Sequence, residues 1–220
     1  MDPHNLIPRI LPPETAFLME NSSTEFKELG GSLGSASKQN PQTDIEFDIN
    51  DGTSSIVKRQ KAIKYYKLAR FIATTFSKDS SSKVGAVFLH PKTLHVLSIG
   101  YNGFPRGVDE TKQERWQRPL KYKFAEHGER NGIYNAAYSG TPLANSMCIV
   151  SLFPCSDCAR GLIQCGCKLV ISEDYNEYEN SQNADERDRY SRWMPDWKVS
   201  LEMFNEVGIV VILLKRDELA

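Results

Sequence analysis

The chain has 220 residues, 40% of them hydrophobic and 25% charged, with a formal net charge of −1. That balance suits a globular protein with one good core and excludes a polycation built to bind nucleic acid. No apolar run approaches the roughly 20 residues that span a membrane, the start reads as lacking a secretory leader, and five cysteines, an odd number, suit the cytoplasm better than a disulfide scaffold.

Residues 1–55 differ from the rest. They hold Pro3, Pro8, Pro12, Pro13 and Pro41, a Gly30-Gly31-Ser32-Leu33-Gly34-Ser35 tract, and more acidic than basic residues. This composition predicts an extension that is disordered or peripherally docked, and dispensable for chemistry. A single domain is then expected over 56–220. Tyr66, Ala69, Ile72, Ala73 and Phe76 have helical spacing from about Gln60. Val84–Leu89 and Leu94–Gly100 read as a hairpin turning at His90-Pro91-Lys92-Thr93. A helix opens near His127, with Ile133, Ala136 and Ala137 on one face. Met147–Leu152 reads as a strand, Cys155–Cys165 as a helix and Lys168–Ser172 as a strand. Trp197–Val207 reads as a helix with Val199, Met203 and Val207 on one side, and Ile209–Leu214 as a closing strand. Polar loops are expected at 104–124 and 173–193. A hairpin followed by βαβαβ crossovers predicts an α/β protein: a mixed sheet of five strands with helices on both faces.

Chemistry concentrates in His127-Gly128-Glu129 and Pro154-Cys155-Ser156-Asp157-Cys158. Zinc favours tetrahedral nitrogen and sulfur ligands, and a catalytic site uses three of them, leaving a fourth position for water. His127, Cys155 and Cys158 are three such ligands. Glu129 lies close enough to move protons at that water without binding the metal. The spacing is that of zinc-dependent nucleotide deaminases. Proline before Cys155 starts a helix, and free N–H groups there favour thiolates. The competing readings of Cys-x-x-Cys are a structural zinc half-site and a redox pair. Cys148 reads as strand core, and Cys165 and Cys167 as small residues at a helix end. The ending Arg216-Asp217-Glu218-Leu219 resembles an ER-retention signal, but Ala220 follows it and it reads as chance.

The likeness extends further. Ser77-Lys78-Asp79, Lys83-Val84-Gly85-Ala86-Val87, the segment from Gly100 to Asp109, the segment from Lys121 to Asn131 and Phe153-Pro154-Cys155 together resemble the deoxycytidylate (dCMP) deaminase family, from about Tyr65 to Leu214. The resemblance implies the three-layer α/β/α cytidine-deaminase-like fold. It also implies a zinc ion and hydrolytic deamination of dCMP to dUMP for thymidylate synthesis. Glu129 would be the proton shuttle, and zinc-activated water would attack C4 of the base. Asn102 would hold the sugar 3′-hydroxyl, although capping the Tyr101–Gly103 turn is an equal reading. The Gly128 N–H would read the base O2. Lys78, Lys83, Arg106 and Arg130 are candidates for the phosphate, as is Tyr175 by its place in the family pattern. Members are commonly homo-oligomers, often hexamers, and many respond to dCTP and dTTP. Tyr101–Gly107 keeps the loop pattern associated with that control. Where the family has His-Ala-Glu this chain has His127-Gly128-Glu129, and a further alanine is Gly132, which predicts a looser helix start. Two alternatives stand beside this reading. One is a deaminase of dCTP, a modified cytosine nucleotide or RNA, the last disfavoured by net charge. The other is a nucleotide-binding pseudo-enzyme that regulates a partner, disfavoured by the intact Glu129.

Overall fold

Five apolar runs pair into one mixed sheet in the computed structural model, which describes residues 44–49 and 53–220. In chain order the elements are β1 (Ile45–Ile49), β2 (Thr53–Val57), α1 (Arg59–Phe76), β3 (Gly85–Leu89), β4 (Val96–Tyr101), α2 (Lys121–Phe124), α3 (Gly128–Ser139), β5 (Met147–Val150), α4 (Ser156–Gln164), β6 (Leu169–Glu173), α5 (Ala184–Glu206), β7 (Val210–Leu214) and α6 (Arg216–Leu219). The sheet order is β4-β3-β5-β6-β7. Strand β3 is antiparallel to β4 and β5, while β5, β6 and β7 run parallel. The three-layer α/β/α arrangement with five mixed strands is therefore as the sequence implies.

Central strands buried on both faces read as near-continuous apolar runs. Val87, Leu89, Met147, Ile149, Leu169 and Ile171 point to the layer formed by α1 and the β1–β2 hairpin. The residues between them, Ala86, Phe88, Cys148, Val150 and Val170, pack with residues of α3, α4 and α5. Each strand thus serves two cores by its period of two.

The boundary expected at residue 55 falls inside the β1–β2 hairpin. Ile45, Phe47 and Ile49 alternate with polar residues, and all three are buried against α1. The acidic residues between them face solvent and mask the strand period in a composition count. The rest of the expected extension, residues 1–43 and 50–52, lies outside the described residues. A second departure is α5, which begins at Ala184 and absorbs much of the expected 173–193 loop. Asn183 caps it by accepting from the Asp185 N–H. Its buried face is Trp197, Ser200 and Phe204, whereas Val199 is 46% exposed. Pro195 lies inside the helix, and this proline among charged residues hides it from a periodicity reading.

Glycines set the distance between α3 and β4. A Cβ on Gly100 would lie 2.0 Å from the Gly128 carbonyl oxygen, and one on Gly132 would lie 2.5 Å from the Phe88 ring. At Gly100 the two backbones nearly touch, and beside that contact the Ser98 hydroxyl of β4 donates to the Gly132 carbonyl of α3 at 2.7 Å. Of the two departures from the family pattern, Gly132 leaves room for the Phe88 ring, and a Cβ on Gly128 would lie 3.0 Å from the Val84 carbonyl oxygen. Strand β4 forms one edge of the sheet. Its Ile99 and Tyr101 carbonyls accept from the Asn135 and Asn131 amides of α3, each at 2.7 Å. Among the described residues no helix is long and apolar enough to cross a membrane.

Candidate active site

His127 and Cys155 occupy equivalent places. Each is the extended residue just before a helix, α3 or α4, and neither side chain caps its own helix. Their functional atoms converge instead. His127 Nδ1 lies 3.3 Å from Cys155 Sγ and 3.6 Å from Cys158 Sγ. Zinc bonds of about 2.0–2.1 Å to nitrogen and about 2.3 Å to sulfur, at tetrahedral angles, give nitrogen–sulfur edges of about 3.6 Å. The donor set and its spacing fit zinc. Among the described residues it is the one group of three close His, Cys, Asp or Glu donors.

The electrostatics favour a cation. The Cys158 thiol beside it and the His127 imidazole bring the Cys155 thiol down to about 4. Cys158, next to that thiolate and buried, is pushed up. Burial pulls His127 down, but the Cys155 thiolate outweighs it and the imidazole ends above its ordinary value. A metal ion replaces the protons that these groups share. Glu129 is only 3% exposed, and its Oε2 has no hydrogen-bond partner. Burial, reinforced by the Cys155 thiolate, raises its carboxyl above the usual range. His127, Glu129, Cys155, Asn102 and Trp193 meet at the deep end of a cleft, a space of about 20 Å³. Beside it the cleft widens to about 240 Å³, again against Asn102, His127, Cys155 and Trp193.

The sequence profile of the cytidine and deoxycytidylate deaminase zinc-binding region matches residues 59–173. The chain belongs to that family. It is 32% identical over 156 residues to the uncharacterized deaminase in the luxG 3′ region of Aliivibrio fischeri, covering 71% of this chain and 95% of that one. It is 33% identical over 129 residues to the deoxycytidylate deaminase of Homo sapiens, covering 55% of this chain and 70% of the relative. Among solved structures, apo dCMP deaminase of cyanophage S-TIM5 shares the fold, with a TM-score of 0.51 and 22% identity over 72% of this chain and all of that one.

Within this deaminase fold the expected substrate residues separate. Asn102 lines the cleft, but its side chain already bridges two backbones. Its Oδ1 accepts from the Gly128 N–H at 2.8 Å and its Nδ2 donates to the Ser82 carbonyl at 2.6 Å. The Gly128 N–H expected to read the base is thereby engaged. Arg130 borders the cleft with Nε on Glu126 at 2.6 Å and Nη1 3.9 Å from Cys158 Sγ. The other candidates lie elsewhere. Lys78 pairs with Glu110 on the surface, and Lys83 is exposed outside the cleft lining. Arg106 bonds Asn135 and stacks on Tyr138. Tyr175 is buried between Phe153 and Trp197, at centroid distances of 4.8 and 5.0 Å.

Beside Arg130, residues missed by the sequence reading supply most of the cleft's charged groups. Lys121 is buried with Asp79 at 2.5 Å and donates to Ser81 Oγ at 2.7 Å. Arg118 lines the cleft from the neighbouring segment. Arg189, Arg192, Trp193 and Asp196 line it from α5. Their spacing, i, i+3, i+4 and i+7, places them on one helical face. That period was legible in the sequence once 184–206 is taken as a helix rather than a loop.

Proposed function

We propose that the protein deaminates dCMP hydrolytically, giving dUMP and ammonia. The observation that carries this reading is a cleft with Glu129 and the metal donors His127 and Cys155 at its deep end and guanidinium groups at its wider end. The deep end suits the reacting pyrimidine carbon, and Arg118, Arg189 and Arg192 suit a 5′-phosphate. Zinc, held by His127 Nδ1 and the Cys155 and Cys158 thiolates, would supply a Lewis acid that lowers the pKa of water to about 7.

Glu129 takes a proton from the attacking water as its oxygen bonds to C4. It passes that proton to N3, then takes the second proton from the new C4 hydroxyl and gives it to the amino nitrogen as the C4–N4 bond breaks, so dCMP and water become dUMP and ammonia. A carboxyl raised by burial gives and takes protons near neutrality better than an exposed one. Asn102 fixes the backbone at Gly128 and Ser82, and so orients the start of α3, which carries Glu129. Trp193 closes the side of the cleft above the His127 ring, with centroids 6.3 Å apart.

Ammonia release from the purified full chain, with dCMP, deoxycytidine and dCTP as substrates, tests the reading. dCMP should be consumed fastest. Arg189→Ala combined with Arg192→Ala should raise the KM for dCMP about tenfold or more, in line with the loss of hydrogen bonds to a charged group. The same change should leave slow turnover of deoxycytidine unaltered. Equal losses on both substrates would remove the phosphate from this end of the cleft.

The assembly belongs to the same proposal. Tyr134 and Tyr138 of α3 are exposed, Tyr138 by 79%, and surfaces of this kind suit contact with a second copy. A homo-oligomer is the expected state, and a monomer mass in light scattering would remove it. Response to dCTP and dTTP is proposed on family likeness. Rates against dCMP that neither nucleotide moves would remove it. Five free thiols are consistent with a cytoplasmic setting.

A further inference from the structure

Helix α5 holds the metal-binding loop from outside the motif. Asp196 Oδ2 accepts from the Ser156 N–H, and its Oδ1 accepts from the Ser156 hydroxyl, both at 2.7 Å. The next residue, Trp197, donates its indole N–H to the Phe153 carbonyl at 3.0 Å. These contacts bracket Pro154-Cys155 from both sides. The first N–H groups of a helix need partners, commonly a side chain at the residue before it. At α4 that residue is Cys155, whose sulfur lies 3.3 Å from His127 and makes no cap. The Asp196 carboxylate, 40 residues after Ser156, fills part of that role.

We propose that Asp196 is a positioning residue of the metal centre. By fixing Ser156, it holds Cys155 where its sulfur meets His127 and Cys158. The proposal rests on the zinc assignment above. Residues that orient metal ligands from behind typically contribute about 10–100-fold in metal affinity. Ser156 and Asp196 touch no donor atom of the metal, so this contribution passes wholly through the backbone at Cys155.

The test is zinc affinity of the folded full chain, measured by competition with a chromophoric chelator. Cobalt-loaded protein gives a second reading, because the thiolate-to-metal absorption band reports how well sulfur is placed. Asp196→Ala should weaken zinc about 10–100-fold and reduce or shift the cobalt band. Asp196→Asn should stay within about threefold of wild type, because its oxygen still accepts from the Ser156 N–H and its amide donates to the hydroxyl. If Asp196→Ala does not fold, Ser156→Ala removes the hydroxyl arm alone and should weaken zinc by more than about threefold. Zinc affinity and a cobalt band unchanged in Asp196→Ala, or in Ser156→Ala where that variant stands in, would overturn the proposal. Wild-type protein that binds zinc no tighter than Cys158→Ser would instead overturn the zinc assignment, and the role of Asp196 with it.

Discussion

At the scale of single residues, two side chains separate chemistry from packing. Glu129 has a buried oxygen without a partner, which a purely structural carboxylate would not leave open. Glu129→Gln should keep the fold and the zinc content and lose about 10²–10⁴ in turnover, the usual weight of a positioned acid/base group. Metal analysis beside the rate assay checks this, and turnover within tenfold of wild type would call for another base. Gly132 is a packing residue, since an added methyl meets the Phe88 ring at 2.5 Å. Gly132→Ala should destabilise by about 1–3 kcal/mol, the usual effect of overpacking, despite alanine's better helix propensity. Adding Phe88→Leu should restore part of that loss in urea unfolding; equal losses in the single and double variants would show that the ring is not the obstacle. The metal donors were legible because three soft or borderline ligands at fixed short spacings have few other uses. The phosphate candidates were not, because a cation beside a motif in the chain need not face the cleft. Lys78 and Arg106 show this, each turned to a surface partner.

At the scale of elements, β1 and α5 carry most of what the sequence reading missed. Both have regular periods interrupted by polar or imino residues, and both are fixed by distant packing: Ile45, Phe47 and Ile49 on α1, and Trp197 beneath the β5–α4 loop. The central strands and α3 were legible because burial on both faces, or a ligand at the helix start, marks them locally. The hairpin changes what truncation should do. Burying Ile45, Phe47 and Ile49 contributes about 1.5–3 kcal/mol each, and three such residues rival the 5–15 kcal/mol margin of a typical domain. A chain beginning at Asp44 should unfold near the wild-type temperature. One beginning at Thr53 should lose cooperative unfolding or aggregate. Thermal melts of the two truncations decide the matter, and identical melts would show that β1 adds nothing.

For the whole molecule, the last helix ties the end of the chain to α1. Glu218 of α6 pairs with Arg59, whose Nη2 lies 2.8 Å from Glu218 Oε2, and both side chains are largely buried. The hydrogen bond from Arg59 holds Glu218 below its ordinary value of 4.5. A carboxyl lowered on folding stabilises above its unfolded pKa, and that contribution disappears as pH falls through the folded value. Glu218→Gln should therefore be less stable than wild type at pH 7, with the gap closing once pH drops below about 4.5. Urea midpoints across that range measure it, and a gap that stays constant would assign the difference to packing instead of charge. The retention-like tetrapeptide at the terminus thus has structural work inside the domain. The outer edge of β4 has another consequence, for solubility. A bare strand edge is a template on which other chains can add strands and grow into aggregates. Asn131 and Asn135 already occupy two of its carbonyls, so a passing chain meets only part of a ladder. Copies of this protein can then crowd together through their side chains while their sheets stay separate, which keeps a concentrated solution from seeding fibres along that edge.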